Sequence, residues 1–201
     1  MIQTIDSQAS QAVDGRTRRR IAGMRRVQQS ALDLFERNGF DQVTVEQIAR
    51  AADVGVATVY RQFGTKEGIV LWDEYDPMLF EAIAAKLPAR RLRDAILEAL
   101  IEALDRIYAG DAERILRRAR LILTHPSIAA AAAAGQAELR RGLAEVLRRK
   151  RACTSSLEAD VVAAAVAGTL EAAAAHWVRA GGAPPLRRYL KRAFDRLDRL
   201  G

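Results

Sequence analysis

The chain has 201 residues, half of them apolar, which is long enough to bury a core as one large domain or two small ones without disulfides or metals. The single cysteine, Cys153, excludes an internal disulfide and a cysteine-rich metal site. No stretch has the pattern of a secretory signal or an apolar run of membrane-spanning length, so we expect a cytoplasmic protein. No cofactor is expected. The net charge of +7 suits a polyanionic partner.

The N-terminal residues 1–17 contain few large apolar residues and no periodicity, which predicts a disordered arm with a basic end. A basic stretch without intervening acidic residues starts at the end of this arm: Arg16, Arg18, Arg19, Arg20, Arg25 and Arg26. Such side chains can lie along DNA phosphates or enter the minor groove. A solvated tail explains Arg16 to Arg20 equally well, whereas for Arg25 and Arg26 we favour proximity to phosphate.

The first predicted helix spans about residues 19–38. Val27, Ala31 and Phe35 fall on one face of this helix, and Gly39 supplies its C-terminal stop. This helix is expected to support the segment that follows.

The segment 43–66 predicts a helix, a tight turn and a short second helix. Thr44 and Gln47 form a capping box at the start of the first helix. Asp53 and Gly55 flank the turn, where both residue types tolerate backbone conformations that most residues avoid. This arrangement is typical of a helix-turn-helix unit that reads DNA.

Sequence motifs on both sides of the turn carry a family resemblance. They are Ala31-Leu32-x-Leu34-Phe35-x-x-x-Gly39-Phe40 and Tyr60-x-x-Phe63-x-x-Lys66-Glu67. With these motifs, residues 25–69 resemble the TetR family of bacterial transcriptional regulators. Two positions depart from the family pattern, because Asp53 stands where Gly is usual and Gly55 where Ser or Thr is usual. Asp can adopt the left-handed turn conformation, and Gly is an acceptable N-cap.

The resemblance implies an all-α protein of about nine helices. Its expected domains are a helix-turn-helix DNA-binding domain at residues 18–64 and a helical ligand-binding and dimerisation domain at residues 65–201. No segment has a strand pattern, and periodicity with prolines, glycines and caps places the later helices. Gly110 is expected to end one of them, and Ser155 with Glu158 to cap another. The predicted bounds are about 66–86, 90–108, 111–124, 127–150, 155–181 and 185–200.

The resemblance also assigns DNA contacts. Lys66 matches the family lysine that grips the DNA backbone, and Tyr60 the tyrosine whose hydroxyl usually meets a phosphate, with a rim-packing aromatic as the alternative. The N-terminus of the second short helix enters the major groove, where apolar side chains favour thymine methyl groups. Arg61 and Gln62 contact either bases or phosphates. The predicted DNA-binding residues are Arg25, Arg26, Thr44, Val56, Ala57, Thr58, Tyr60, Arg61, Gln62 and Lys66.

Small residues recur along the predicted eighth helix, and small side chains let two helices approach closely. Together with the ninth helix, two copies of this face can form a four-helix interface across a two-fold axis. Packing inside one subunit is the alternative. The residues predicted for a homodimer interface are Val161, Ala164, Ala165, Gly168, Ala172, Leu190 and Phe194.

Large side chains on the central helices are candidates for the walls of a small-molecule pocket, although such residues are usually core. A buried Glu171 could bind a cationic ligand, whereas a solvated or ion-paired carboxylate is the commoner case. The predicted pocket residues are Trp72, Tyr75, Leu79, Leu104, Tyr108, Leu121 and Glu171.

No pattern of metal ligands or of a nucleophile with its base is found, and the two histidines, His125 and His176, are each expected to be structural. The chain is therefore not expected to be an enzyme. The favoured interpretation is a ligand-responsive transcriptional repressor that binds a palindromic operator as a homodimer and is released by a small molecule. The alternative is a helical scaffold that has kept this fold without reading DNA.

Overall fold

The computed structural model describes the backbone of residues 2–200 and the side-chain surroundings of residues 15–75 and 77–199. Within this part of the chain every regular element is helical, as predicted. The chain divides into two compact units, Met1–Trp72 and Asp73–Gly201. The helices are α1 Ile2–Asn38, α2 Val45–Ala51, α3 Val56–Phe63, α4 Lys66–Leu71, α5 Asp76–Ala85, α6 Leu92–Thr124, α7 Pro126–Arg149, α8 Ser156–Arg179 and α9 Leu186–Leu197, followed by a short 3-10 helix, Asp198–Leu200.

In the first unit, α2 and α4 pack on α1, and α3 packs on both α2 and α4. The apolar face of each helix points into one core, so Val27, Ile48, Val59 and Ile69 are almost fully buried. α1 reaches back to Ile2, whereas the sequence predicted a helix from about residue 19 and a disordered arm before it. Residues 2–17 contain no proline, and their alanines and glutamines can continue a helix. Residue 1 lies outside the described residues.

The predicted helix at residues 66–86 is two helices, so that prediction is wrong. α4 ends at Leu71 and α5 begins at Asp76, with Pro77 in the first turn of α5. Proline fits the first turn of a helix but clashes with a preceding turn, so one helix does not run through Pro77. Because α4 packs on α1, the boundary between the compact units falls after Trp72 rather than after residue 64.

The two helices predicted at residues 90–108 and 111–124 are one helix, α6. A glycine inside a helix costs only about 1 kcal/mol relative to alanine, and packing on both sides of Gly110 outweighs that cost. Asp111 therefore lies inside α6 and caps no new helix, and its carboxylate binds Tyr75 and Arg114.

The second unit is a bundle in which α8 packs on α7 and α9, and α6 packs on α5, α7, α8 and α9. Its core includes Leu100, Leu147, Ala163 and Leu190. Ser155 caps α8 as predicted by accepting from Glu158 N–H at 3.1 Å.

The other half of the expected capping box at α8 differs from the prediction. The Glu158 carboxylate accepts from Thr154 N–H and from the Thr154 hydroxyl, both at 2.6 Å. These bonds lower the pKa of Glu158. The start of α8 is therefore capped through two neighbouring residues rather than through one reciprocal pair.

Among the described residues, α8 is long and apolar enough to cross a membrane by length and composition alone. Its many alanines produce this result. The helix packs on three other helices of its unit, and 33% of its apolar window is buried.

Candidate DNA-binding surface and regulatory unit

The start of α2 has the capping box that the sequence predicted. The Thr44 side chain accepts from Gln47 N–H at 3.3 Å, and the Gln47 side chain accepts from Thr44 N–H at 2.9 Å. Hydrogen bonds from its own backbone N–H and from the Thr44 side chain lower the pKa of Glu46 in the first turn. Thr44 is exposed at this helix start, where a DNA phosphate can approach.

In the turn between α2 and α3, the two residues that depart from the family pattern have the backbone roles that the sequence predicted for them. Asp53 adopts the left-handed conformation with a φ of 55°, and Gly55 is the N-cap of α3. Val54 N–H donates to Ala49 C=O at 3.0 Å, which closes the turn. Both residues are therefore compatible with the tight turn that a helix-turn-helix unit needs.

α3 presents the predicted reading residues on the sides away from its buried residue. Val59 points into the core and is 1% exposed. Ala57, Tyr60 and Arg61 are exposed, with Tyr60 at 48%, while Val56, Thr58 and Gln62 are half-buried. Arg61 Nη2 lies 3.4 Å from Thr58 Oγ1, so this guanidinium extends along the helix surface.

Lys66 has internal partners that the sequence did not predict. Its ammonium donates to Phe40 C=O at 2.7 Å and to Val43 C=O at 3.0 Å, and lies 4.3 Å from the Phe40 ring centroid. A phosphate contact would use the third N–H of the ammonium. On α1, Arg25 and Arg26 are exposed. The roles of all the predicted DNA-binding residues stay predictions.

In the second unit, a buried cluster of charges joins α6 to the residues that follow Trp72. Arg114 Nη2 binds Glu74 Oε1 at 2.7 Å and donates to Tyr75 Oη at 3.2 Å, and it also binds Asp111. One helical turn on, Arg118 Nη2 lies 3.2 Å from Asp73 Oδ2. Arg114 and Arg118 are 7% and 5% exposed. The first residues of the unit are thus tied to α6 by ion pairs.

Of the predicted pocket residues, Tyr75 belongs to this cluster and Tyr108 lies within the electrostatic influence of its Asp73 and Arg118. Burial, followed by the hydrogen bond and charge of Asp111, raises the pKa of Tyr75 to about 12. Burial also raises the pKa of Tyr108, and its ring meets Trp177 edge-on with centroids 5.3 Å apart. Sequence reasoning missed Arg114 and Arg118, although both continue the buried stripe of α6 at helical spacing. The helix break expected at Gly110 hid that continuity.

The other predicted pocket residues lie elsewhere. Leu79 and Leu104 pack in the core of the second unit, and Leu121 is half-buried. Trp72 belongs to the first unit, where its ring meets Phe63 edge-on with centroids 6.0 Å apart. Glu171 is exposed on the outer face of α8, which agrees with the solvated carboxylate given above as the commoner case.

A cleft of about 290 Å³ lies between the start of α6, α8 and α9, and none of the seven predicted pocket residues lines it. Three carboxylates surround Arg93 beside the cleft. Its Nη1 lies 2.9 Å from Asp94, and its Nη2 lies 2.8 Å from Asp195 and 3.0 Å from Asp198. The lining residues are Leu92, Arg93, Ile96, Val162, Ala165, Val166, Phe194, Leu197 and Asp198.

The predicted dimer residues separate into two groups. On α8, Val161, Ala164, Gly168 and Ala172 are exposed, and Ala165 is half-buried. On α9, the interface prediction is wrong for two residues, because Leu190 and Phe194 are 0% and 2% exposed within the protomer. The apolar face of α9 packs on α6 and α8 of its own chain, so it is not available to a second copy.

Comparison with known proteins identifies the two units separately. Residues 29–71 match the description "Bacterial regulatory proteins, tetR family", and residues 90–200 match "MftR C-terminal domain". A Mycobacterium tuberculosis (strain H37Rv) protein named as a mycofactocin biosynthesis transcriptional regulator, MftR, is 31% identical over 166 residues, which cover 81% of this chain and 83% of that protein.

Two solved structures share the fold at lower identity. FadR of Thermus thermophilus, a TetR family repressor in complex with lauroyl-CoA, is 22% identical with a TM-score of 0.53, over 86% of this chain and 91% of that one. SmeT of Stenotrophomonas maltophilia in complex with triclosan is 16% identical with a TM-score of 0.59, over 87% and 88%. From the matches to both units and the similarity to MftR, this chain belongs to the TetR family of bacterial transcriptional regulators.

Proposed function

We propose that this cytoplasmic DNA-binding regulator is a repressor, that it binds a palindromic operator as a homodimer, and that a small molecule releases it. The observation that carries the proposal is the exposure of Ala57, Tyr60 and Arg61 on α3, directly after the tight turn at Asp53 and Gly55. A helix presented in this way can enter the major groove and reach base edges.

The outer face of α8 supports the homodimer. Leu157 and Val161 are 73% and 58% exposed, and the small-residue stripe continues through Ala164, Gly168 and Ala172, with the exposed Glu171 on the same face. An apolar stripe of this length is unfavourable in water, and a second copy of the same helix would bury it about a two-fold axis. The dimer would carry two α3 helices about one DNA turn apart, roughly 34–36 Å, to reach successive major grooves.

The buried cluster around Tyr75, Tyr108, Arg114 and Arg118 supports effector binding in the second unit. Buried charges with perturbed pKa values beside aromatic rings are common at functional sites. FadR and SmeT, which share the fold, bind lauroyl-CoA and triclosan, so we infer an apolar or amphipathic effector. Such a molecule lowers operator affinity only if it binds the state that is released from DNA more tightly.

Selection of binding sites from randomised duplex DNA tests the proposal. The wild-type chain is expected to select a palindrome, whereas a variant substituted to alanine at Val56, Thr58, Arg61 and Gln62 is expected to lose that consensus. Each lost bidentate base contact should cost about 1–3 kcal/mol. A chain with Arg18, Arg19 and Arg20 replaced by alanine is the control, and it should bind more weakly while selecting the same palindrome. Selection of one consensus by both the wild-type and the fourfold variant would show that α3 does not read bases.

A further inference from the structure

The six-residue helix α4 is held to the rest of the first unit by three of its own positions. These are Lys66 at its start, Gly68 in its first turn, and the carbonyl groups at its C-terminal end. Each position meets a different neighbour: the turn before α2, the end of α3, and α1.

At the C-terminal end of α4, the partner is the side chain of Gln28 on α1. Gln28 is 0% exposed, and its Nε2 donates to Ile69 C=O at 2.7 Å and to Trp72 C=O at 3.0 Å, with Val70 C=O at 3.5 Å. The last carbonyls of a helix have no partner within the helix, and a buried carbonyl without a partner is costly. Gln28 satisfies these carbonyls from a position more than forty residues away in the sequence.

At the start of α4, Lys66 binds the turn that leads into α2. Its bonds to Phe40 C=O and Val43 C=O fix the two ends of this turn, which Val43 N–H also closes through Phe40 C=O at 3.4 Å. Thr44, the N-cap of α2, follows directly.

Between these two ends, Gly68 lies against the last residue of the recognition helix α3. A Cβ atom at Gly68 would lie 2.0 Å from Phe63 C=O and 3.1 Å from the Phe63 carbonyl carbon. Only glycine permits this approach, so the first turn of α4 rests on the backbone of α3.

From these three attachments we propose that Gln28 is a positioning residue for DNA reading. By holding the C-terminal end of α4 to α1, it fixes α3 in orientation to α1 through the contact between Gly68 and Phe63. An apolar side chain of the same size would fill the same space in the core but would not select one register of α4 along α1. Directional bonds from a buried amide supply that selection.

The first test compares Gln28→Met with Gln29→Met. Gln29 is the adjacent glutamine, is exposed and bonds only to Asp33 among the contacts described, so it is a matched control. Gln28→Met should bind the selected operator about tenfold more weakly, which corresponds to the loss of one to two net hydrogen bonds. Its affinity for random DNA should be unchanged, and so should the slope of log affinity against log salt, since the same phosphates are neutralised. Gln29→Met should match the wild type throughout.

The second test uses Gln28→Glu and a pH series. A carboxylate cannot donate to the Ile69 and Trp72 carbonyls, whereas a protonated carboxyl group can donate one hydrogen bond. Operator affinity of Gln28→Glu, relative to the wild type at each pH, should therefore rise as the pH falls, and that of Gln28→Met should not. A folding role without positioning would lower operator and random-DNA binding together.

Three outcomes would overturn the proposal. The first is an unchanged ratio of operator to random-DNA affinity in Gln28→Met, and the second is a changed salt slope, which would indicate a direct DNA contact. The third is loss of the folded first unit in both Gln28 variants at every pH, which would assign Gln28 to folding alone.

Discussion

Replacement of Gly68 by alanine places a methyl group where the structure has no room for one. The new Cβ atom would lie 2.0 Å from Phe63 C=O, about 1 Å closer than Cβ atoms approach other heavy atoms. The obstructing atom belongs to the backbone at the end of α3, so it cannot rotate away as a side chain would. Relief requires α4 or the end of α3 to shift, which costs about 3 kcal/mol, at the upper end of overpacking penalties.

The same substitution also has a favourable effect, because alanine is better than glycine inside a helix by about 1 kcal/mol. We therefore expect a net loss of about 2 kcal/mol in the unfolding free energy of the first unit. Gly110→Ala in α6 is the control, since no atom lies within 4 Å of the added Cβ. This variant should gain about 0.5–1 kcal/mol in the second unit.

The assay is urea unfolding followed by tryptophan fluorescence, because the chain has one tryptophan in each unit, Trp72 and Trp177. Trp177→Phe leaves Trp72 to report on the first unit for Gly68→Ala. Trp72→Phe leaves Trp177 to report on the second unit for Gly110→Ala. If Gly68→Ala stabilises the first unit as Gly110→Ala stabilises the second, then α4 does not rest on α3 as described.

Two further predictions concern the second unit. The pKa of Tyr75 in the folded chain, about 12, lies above its ordinary value of 10.0, so the stability that Tyr75 contributes is complete below pH 10 and is lost as the pH rises towards 12. Between these pH values, the unfolding free energy from urea titrations should fall more steeply with pH for the wild type than for Tyr75→Phe. Equal slopes for the two proteins would contradict a raised pKa of Tyr75. Ala172→Arg on α8 should give monomers in sedimentation, because a charge would be buried at the proposed dimer face, whereas Ala130→Arg, at an exposed alanine of α7, should leave the dimer intact. A wild-type chain that sediments as a monomer at micromolar concentration would refute the dimer.

The helix-turn-helix unit could be predicted in detail because its determinants are local. The capping box at Thr44 and the turn at Asp53 and Gly55 depend on residues within three or four positions of one another, and all were confirmed. Gly110 shows the limit of the same reasoning, because a glycine with a packed helix on both sides does not end it.

Contacts between residues far apart in the sequence could not be predicted. The periodicity of Leu190 and Phe194 indicates a buried face, but it is the same whether the partner is another helix of this chain or a second copy. Arg114 is buried because Glu74, forty positions earlier, neutralises it. Gln28 likewise looks like an ordinary polar residue of a surface helix until α4 is placed against it.

Because α6 is one unbroken helix, a tilt at one of its ends displaces the residues at the other end. Arg93, beside the cleft, and Arg118, bound to Asp73 at 3.2 Å, lie 25 residues apart on this helix, which corresponds to roughly 38 Å of rigid rod. A tilt of about 5° at the cleft end would move Arg118 by roughly 3 Å, enough to carry its guanidinium out of reach of Asp73. Asp73 is the first residue after Trp72. A tilt at the cleft end of α6 would therefore break an ion pair at the point where the chain leaves the first unit.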